Sequence, residues 1–259
     1  MPFTFAHPAA VLPLRHTLWF PALAAGSIAP DIAYYLPVPG GADSTHSLLG
    51  IVGIDLLLGI LLLALGHLFL TPLLALASAG WRARVARPRP TPTWRAAGIV
   101  VLSLVAGAAT HIAWDTFTHT DGVVVRHWDL LRVSIVGPHR LYNVIGYVSS
   151  LGGLVVLAAV ALRWYRRTPP QAHRWPALHH RTPVLFGIVA AAVVGSVIAL
   201  ADPVSRVSTY DWVRQLLVGG TRGAGSALTL YVLCRHLRLT PRHDVPDIGA
   251  RGGEYPPGS

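Results

Sequence analysis

Five long apolar stretches constrain this chain more than any other feature of its sequence. They cover residues 48–70, 97–117, 141–165, 183–201 and 212–237. A helix needs about 20 mostly apolar residues to cross a bilayer, and each stretch is about that long. The fifth is the least apolar, because it contains Arg214 and Arg222. The sequence therefore predicts an all-α protein, a polytopic membrane helix bundle of about five transmembrane helices in contact with the lipid bilayer.

The basic residues predict how these spans are oriented. All 21 are arginines, and the formal net charge is +10. Such a charge is also typical of nucleic-acid-binding proteins, but here the arginines gather between apolar stretches, which argues against nucleic acid as a partner. The loops 71–96 and 166–182 contain arginine and no acidic residue, whereas the loops after the second and fourth spans mix both signs. The positive-inside rule then places the arginine-only loops and the C-terminus in the cytoplasm, and residues 1–47 outside.

The N-terminal segment, residues 1–47, is expected to lie at the outer membrane surface. Its apolar part, residues 17–29, is only 13 residues long and too short to span. We expect it to form a short interfacial or re-entrant helix, and the side on which His7 lies depends on this expectation. Residues 1–239 then form a single integral-membrane domain. The tail, residues 240–259, is rich in Pro, Gly and charge, and is expected to be disordered.

The outer end of the second span carries the strongest polar pattern in the chain, His111-x-x-x-Asp115 followed by His119. Residues four apart share one face of a helix, so the imidazole of His111 and the carboxylate of Asp115 point the same way. His119 follows near that face if the helix continues. Such a pair can chelate a divalent metal. The alternative is a neutral His hydrogen-bonded to an Asp, which holds two helices together.

Two further candidate ligands lie on the same side of the predicted membrane. Asp31 follows Pro30, where a helix must end, and His46 lies just before the first span. Taken singly, Asp31 could be a helix cap and His46 an interfacial residue. Together with His111 and Asp115 they give two imidazoles and two carboxylates from three segments, a set that suits zinc first and manganese second, with an open position for water.

Two other polar residues have two interpretations each. Asp55 lies about two turns inside the first predicted span, where an ionisable group is either functional or paired with a buried donor, here Arg214 or Arg222 of the fifth span. Arg140 lies at the outer end of the third span, where it could bind a substrate phosphate or anchor the topology.

Four segments resemble an uncharacterised bacterial membrane-protein family, domain of unknown function 4184. They are residues 1–14, 26–31, 44–49 and 111–122, and the likeness extends to about residue 155. The resemblance implies a bacterial cell membrane protein and implies no activity. The order of the motifs, His then Asp then His then H-x-x-x-D, is also similar to zinc-dependent phospholipase C and to inner-membrane proteins described as metal-dependent hydrolases.

That broader likeness implies roles for individual residues. Asp31, His46, His111 and Asp115 would ligate one metal, and His7 would help to bind a second metal bridged by Asp115. The chain departs from the phospholipases in having no H-x-x-x-E pair, since its only Glu is in the tail. It also has Gly146-Tyr147 where a Gln-His pair is expected. One or two metals, rather than three, are therefore expected.

The sequence thus favours a membrane-embedded metal-dependent hydrolase. A bound divalent metal lowers the pKa of water towards neutrality, which suits attack on a phosphoester, and the membrane location suits a phospholipid or a lipid-linked phosphate. His7 or His119 would act as a second ligand or as a proton donor. The alternative is a non-enzymatic membrane protein, a transporter or an assembly factor, in which the same His and Asp residues bind an ion or cross-link helices. A transport path needs polar residues across the bilayer, and the five spans offer mainly Asp55, Arg214 and Arg222. So small a number favours a site at the membrane surface over a transport path.

Overall fold

The computed structural model describes residues 3–86, 93–171 and 175–237 of the chain, and the side chain of Tyr210 is not described. The predicted disordered tail lies outside these residues. The α-helices are α1 Phe20–Ile28, α2 Gly41–Thr45, α3 Leu48–Val52, α4 Ile54–Leu76, α5 Ala79–Arg82, α6 Trp94–Thr118, α7 Val123–His127, α8 Leu141–Arg167, α9 Arg181–Leu200 and α10 Thr209–His236. Short 3-10 helices cover Thr4–Ala9, Leu12–His16, Ala29–Tyr34, Asp129–Arg132 and Pro203–Arg206. Two strands, β1 Ser134–Val136 and β2 His139–Arg140, form an antiparallel hairpin.

Four described helices, α4, α6, α8 and α9, are long and apolar enough to cross a membrane. Their outward surfaces carry large apolar side chains, of which Leu57, Val148 and Phe186 are each more than 60% exposed. In water such surfaces would be unfavourable, so they indicate a lipid environment. The all-α membrane bundle is thereby confirmed. The predicted fifth span lies in α10, which is long enough but carries charged residues and is not one of these four.

The chain divides into two compact units, Met1–Pro176 and Ala177–Ser259. The second unit contains α9 and α10, which pack closely through glycine. A Cβ atom on Gly195 would lie 2.3 Å from the carbonyl oxygen of Gly219, and one on Gly223 would lie 2.0 Å from that of Ala191. Small residues at this spacing let two helix backbones approach within lipid. The first unit contains α1–α8 and all the candidate site residues.

In the first unit, α1 packs between α4 and α6. Its Ala22 and Ala25 form a small apolar core with Leu104 of α6. The two backbones touch: a Cβ on Gly107 would lie 2.3 Å from the carbonyl oxygen of Leu23, and one on Gly26 would lie 2.1 Å from that of Leu104. This contact fixes α1 along the second half of α6, the half that carries His111 and Asp115.

One helix boundary differs from the sequence prediction in a way that matters for the site. Residues 48–70 were expected to be one helix, but the helix breaks at Gly53, whose φ is −107° and ψ is −102°. The long helix α4 therefore begins at Ile54 and continues through Pro72 to Leu76. As a result Asp55 lies in the first turn of α4 rather than two turns inside a span.

Candidate metal site

A hydrogen bond between the residues that precede Asp31 and His46 in the chain holds the two side chains together. The 3-10 helix Ala29–Tyr34 follows α1 and has Pro30 in its first turn, and this turn places the Asp31 carboxylate in the interior, where it is fully buried. The Thr45 hydroxyl at the end of α2 donates to the carbonyl of Pro30 at 2.8 Å. His46 follows directly as the C-cap residue of α2. The link therefore brings the imidazole of His46 to the carboxylate of Asp31.

Backbone carbonyls fix the tautomers of His46 and His111. The Nδ1 atom of His111 lies 2.7 Å from the carbonyl oxygen of Ser27, and Nδ1 of His46 lies 3.1 Å from that of Ala42. A carbonyl oxygen only accepts, so each Nδ1 carries the proton and donates it. Each neutral ring therefore presents the lone pair of Nε2 to the cluster, as metal-binding histidines do.

Four atoms converge at distances that suit one metal ion. The Nε2 of His111 is 3.4 Å from Asp31 Oδ1 and 3.5 Å from Asp115 Oδ2, and the Nε2 of His46 is 3.6 Å from each of the same oxygens. All four lie within 4.8 Å of one another. A tetrahedron of ligands about 2.0–2.2 Å from zinc has edges of about 3.3–3.6 Å. These distances exceed those of ordinary hydrogen bonds, so they suit a shared cation better than direct pairing.

The cluster leaves several buried polar atoms without a hydrogen-bond partner among the described residues. They are Nε2 of His7, His46 and His111, Oδ2 of Asp115, and both carboxylate oxygens of Asp31 and of Asp55. Buried polar atoms are almost always paired, and each unpaired atom costs about 1–3 kcal/mol. With both imidazoles neutral, as metal binding requires, the two carboxylates carry a charge of −2, which one divalent cation would neutralise. The four residues therefore fit a divalent metal ion, and a buried Asp31–His46–His111–Asp115 group that could hold one is present.

The pKa values of Asp31 and His46 reflect the attraction between the carboxylates and the imidazoles of the cluster. Burial opposes ionisation of Asp31, but the imidazoles of His111 and His46 hold its pKa below the usual range. Burial lowers the pKa of the His46 imidazole, but the carboxylates of Asp115 and Asp31 outweigh this effect and raise it to about 9. Without a metal, a proton is therefore held on His46, and a metal ion must displace it.

His7 lies beside the four-residue cluster. Its ring stacks on that of His111, with centroids 3.8 Å apart and planes 19° apart, and its Nε2 is 3.9 Å from Oδ1 of Asp115. Burial, together with the imidazole of His111, lowers the pKa of His7 to about 4. The 3-10 helix that carries it is anchored to α8, where the amide of Phe3 donates to the hydroxyl of Ser150 at 2.8 Å. His7 is thus neutral and close to the second oxygen of Asp115.

His119 and Arg140 lie outside the cluster. Helix α6 ends at Thr118, so His119 has extended backbone geometry and does not continue the helical face of His111 and Asp115. Its Nδ1 pairs with the exposed carboxylate of Asp121, and its ring centroid is 6.4 Å from that of His46. Arg140 is exposed and precedes α8. His119 therefore borders the site, and the role of Arg140 stays a prediction.

Asp55 lies near the four-residue cluster, which the sequence pattern did not predict. It is fully buried, and it interacts electrostatically with the imidazoles of His46 and His111. Neither of its carboxylate oxygens has a hydrogen-bond partner among the described residues, so pairing with a buried donor finds no support. The two glycines before it, Gly50 and Gly53, were the available signal, because glycine weakens a helix and allows the break at Gly53.

Comparison with known proteins identifies a family and no activity. No curated protein and no solved structure matches the chain. A family model matches residues 1–233. This range includes every candidate site residue, the whole first unit, and the second unit as far as most of α10. The chain therefore belongs to the family described as domain of unknown function DUF4184.

Proposed function

We propose that this protein is a membrane-embedded metal-dependent hydrolase that cleaves a phosphoester. The observation that carries the proposal is the convergence of four ligand atoms, from Asp31, His46, His111 and Asp115. The four His–Asp distances are 3.4–3.6 Å, and none of these atoms has a hydrogen-bond partner among the described residues. A divalent ion bound there, zinc first and manganese second, would supply an acidified water and stabilise charge on a phosphoryl oxygen.

The surrounding residues support proton transfer. In hydrolysis the oxygen of water joins the phosphorus, the bond from phosphorus to the leaving oxygen breaks, and the leaving alcohol takes up a proton. His119 is partly exposed at the edge of the cluster, and Asp121 orients its ring by pairing with Nδ1. We assign His119 as the proton donor to the leaving group. We assign His7, whose Nε2 is 3.9 Å from Asp115 Oδ1 and whose imidazole burial keeps neutral, to help bind a second ion.

The proposed substrate is a phospholipid or another lipid-linked phosphoester, with Arg140 as a candidate phosphate contact. The location of the site supports this class: His111 and Asp115 lie in the last two turns of α6, close to one end of a membrane-crossing helix. The arginine-only loops favour an outer-face site and a cytoplasmic C-terminus in a bacterial cell membrane. A reporter fused after α10 would test that orientation.

A metal-dependent phosphoesterase assay tests the proposal. Detergent-purified protein is given a nitrophenyl phosphodiester and mixed vesicles that contain anionic phospholipid, with zinc or manganese added and then removed by a chelator. We expect hydrolysis that needs the metal and is lost in His111→Ala but kept in His127→Ala, because His127 is an exposed histidine whose Nδ1 donates to the carbonyl of Val123 in its own helix. One bound metal with no hydrolysis of any phosphoester would instead favour the ion-binding or helix-linking alternative.

A further inference from the structure

A second site lies away from the candidate metal site, in a groove between the N-terminal segment and α8. The groove has a volume of about 830 Å³. One wall comes from the 3-10 helix Leu12–His16 and the start of α1, and the other from the last three turns of α8. At a rise of about 1.5 Å per residue, Arg167 lies about 21 Å along α8 from Gly153, which packs beside the His7 segment. The arginine end of the groove is therefore well separated along α8 from the His7 segment.

Apolar side chains form most of this groove. Leu12 and Phe20 face Leu157, Val160 and Trp164 across it. These α8 residues are three or four positions apart, so they form one stripe on the helix. The groove opens to the outer surface of a membrane-crossing helix. Its apolar length suits a hydrocarbon chain, and its volume lies within the range of about 300–1,000 Å³ typical of ligand sites.

Three arginines line the same groove. They are Arg15 from the N-terminal segment and Arg163 and Arg167 from α8. None of the described lining residues is Asp or Glu, and no ion pair joins these arginines to a carboxylate in the described part of the chain. Within the described part of the chain, the Arg15 side chain donates one hydrogen bond, from Nε to Nε2 of His16 at 3.4 Å. Arginines without a counter-ion at the end of a membrane helix attract an anion, and their planar guanidinium groups suit phosphate.

We infer that this groove binds an anionic phospholipid, with its phosphate on Arg15, Arg163 and Arg167 and an acyl chain along the apolar stripe. The lipid links the N-terminal segment to α8. That segment leaves the cluster at His7 and returns to it at Asp31, so the lipid holds the turn of this excursion in place. The inference does not depend on hydrolysis at the metal site, because the bound lipid is a structural ligand at a separate location.

Native mass spectrometry of the full chain in detergent tests the inference, with phosphatidylglycerol as the probe and phosphatidylcholine for comparison. The groove variant is Arg163→Gln/Arg167→Gln. The matched control is Arg95→Gln/Arg166→Gln, which removes the same charge and includes an arginine on the same helix end that does not line the groove. We expect phosphatidylglycerol affinity to fall at least about tenfold in the groove variant and to stay within twofold of wild type in the control.

Two further variants keep the result interpretable. Arg15→Gln alone is expected to weaken phosphatidylglycerol binding, which an effect confined to α8 would not produce. Arg163→Lys/Arg167→Lys keeps the charge, and it should restore most of the affinity if the groove variant is folded and has lost only the anion contact. Equal binding of phosphatidylglycerol by the groove variant and the control, or equal binding of both lipids by wild type, would overturn the inference. Helical content by circular dichroism confirms that each variant is folded.

Discussion

The contact between α1 and α6 allows the metal site to be disrupted without changing any ligand. In Gly107→Ala, the new Cβ would lie 2.3 Å from the carbonyl oxygen of Leu23 and 2.7 Å from the amide nitrogen of Ser27. Ordinary carbon contacts are about 3.5 Å, so α1 must move away from α6 by about 1.2 Å. Both neighbours are backbone atoms, so no side-chain rotation relieves the clash, and overpacking of this kind costs about 1–3 kcal/mol.

That displacement is large on the scale of a metal site. It stretches the 2.7 Å hydrogen bond between Ser27 and His111, and it pulls the segment that carries Asp31 away from His111, whose Nε2 is 3.4 Å from Asp31 Oδ1. Metal–ligand distances in a site hold to within about 0.2 Å, so a shift of about 1.2 Å is more than the site tolerates. Gly107→Ala should therefore lose its stoichiometric zinc.

Zinc titration of detergent-purified protein against a competing chelator measures this effect, with circular dichroism to check folding. The matched control is Gly98→Ala on the same helix, because a Cβ there would meet no atom within 4 Å. Gly98→Ala should bind zinc like wild type. If folded Gly107→Ala kept one equivalent of zinc at wild-type affinity, the reasoning from helix contact to ligand geometry would be wrong.

Three other predictions follow from the site. The carboxylates outweigh burial and raise the pKa of His46 to about 9, so its proton stabilises the metal-free fold fully below about pH 6.5, and this stabilisation is lost as the pH rises through about 9. Zinc must displace that proton, so competition titrations should show apparent zinc affinity rising by up to about tenfold per pH unit between these two values. An affinity that does not change with pH would contradict this prediction. Asp55→Asn should lower zinc affinity about 10–100-fold without changing the stoichiometry, because it removes a buried charge that supports the ligands. The control Asp43→Asn changes an exposed residue and should bind zinc like wild type, and equal affinities of the two variants would show that Asp55 does not belong to the site. His119→Ala should keep one equivalent of metal by elemental analysis, because His119 pairs with Asp121 rather than with the cluster. Its metal-dependent hydrolysis should fall about 10²–10⁴-fold, and unchanged hydrolysis would exclude His119 as the proton donor.

The membrane helices and the candidate metal site differ in how far the sequence could predict them. The length of the apolar stretches alone is enough to predict α4, α6, α8 and α9, because any helix that crosses a bilayer needs about 20 mostly apolar residues. The spacing of His111 and Asp115 likewise predicts a shared face, and their facing atoms are 3.5 Å apart. The distribution of arginine placed Asp31 and His46 on the same side of the membrane as that pair. The structure brings all four side chains together, and their role as ligands stays a prediction.

Tertiary packing decides what the sequence pattern could not. Asp55 was expected two turns inside a span, because nothing local distinguishes a continuous helix over residues 48–70 from two helices that break at Gly53. The path of the N-terminal segment was left open between an interfacial and a re-entrant helix. The structure packs α1 lengthwise against α4 and α6, where Gly26 and Gly107 permit backbone contact. The supporting carbonyls of Ser27 and Ala42 also carry no sequence signal, since every residue has one.

Metal content tests the central claim most directly. Elemental mass spectrometry is applied to the detergent-purified wild type, to His46→Ala/Asp115→Ala and to the control His127→Ala/Asp121→Ala, which removes one exposed histidine and one exposed aspartate. We expect one or more equivalents of zinc or manganese in the wild type and in the control, and none in the first variant. A wild-type protein that holds no metal, even after incubation with excess zinc or manganese at neutral pH, would contradict the metal site and the proposed hydrolase with it.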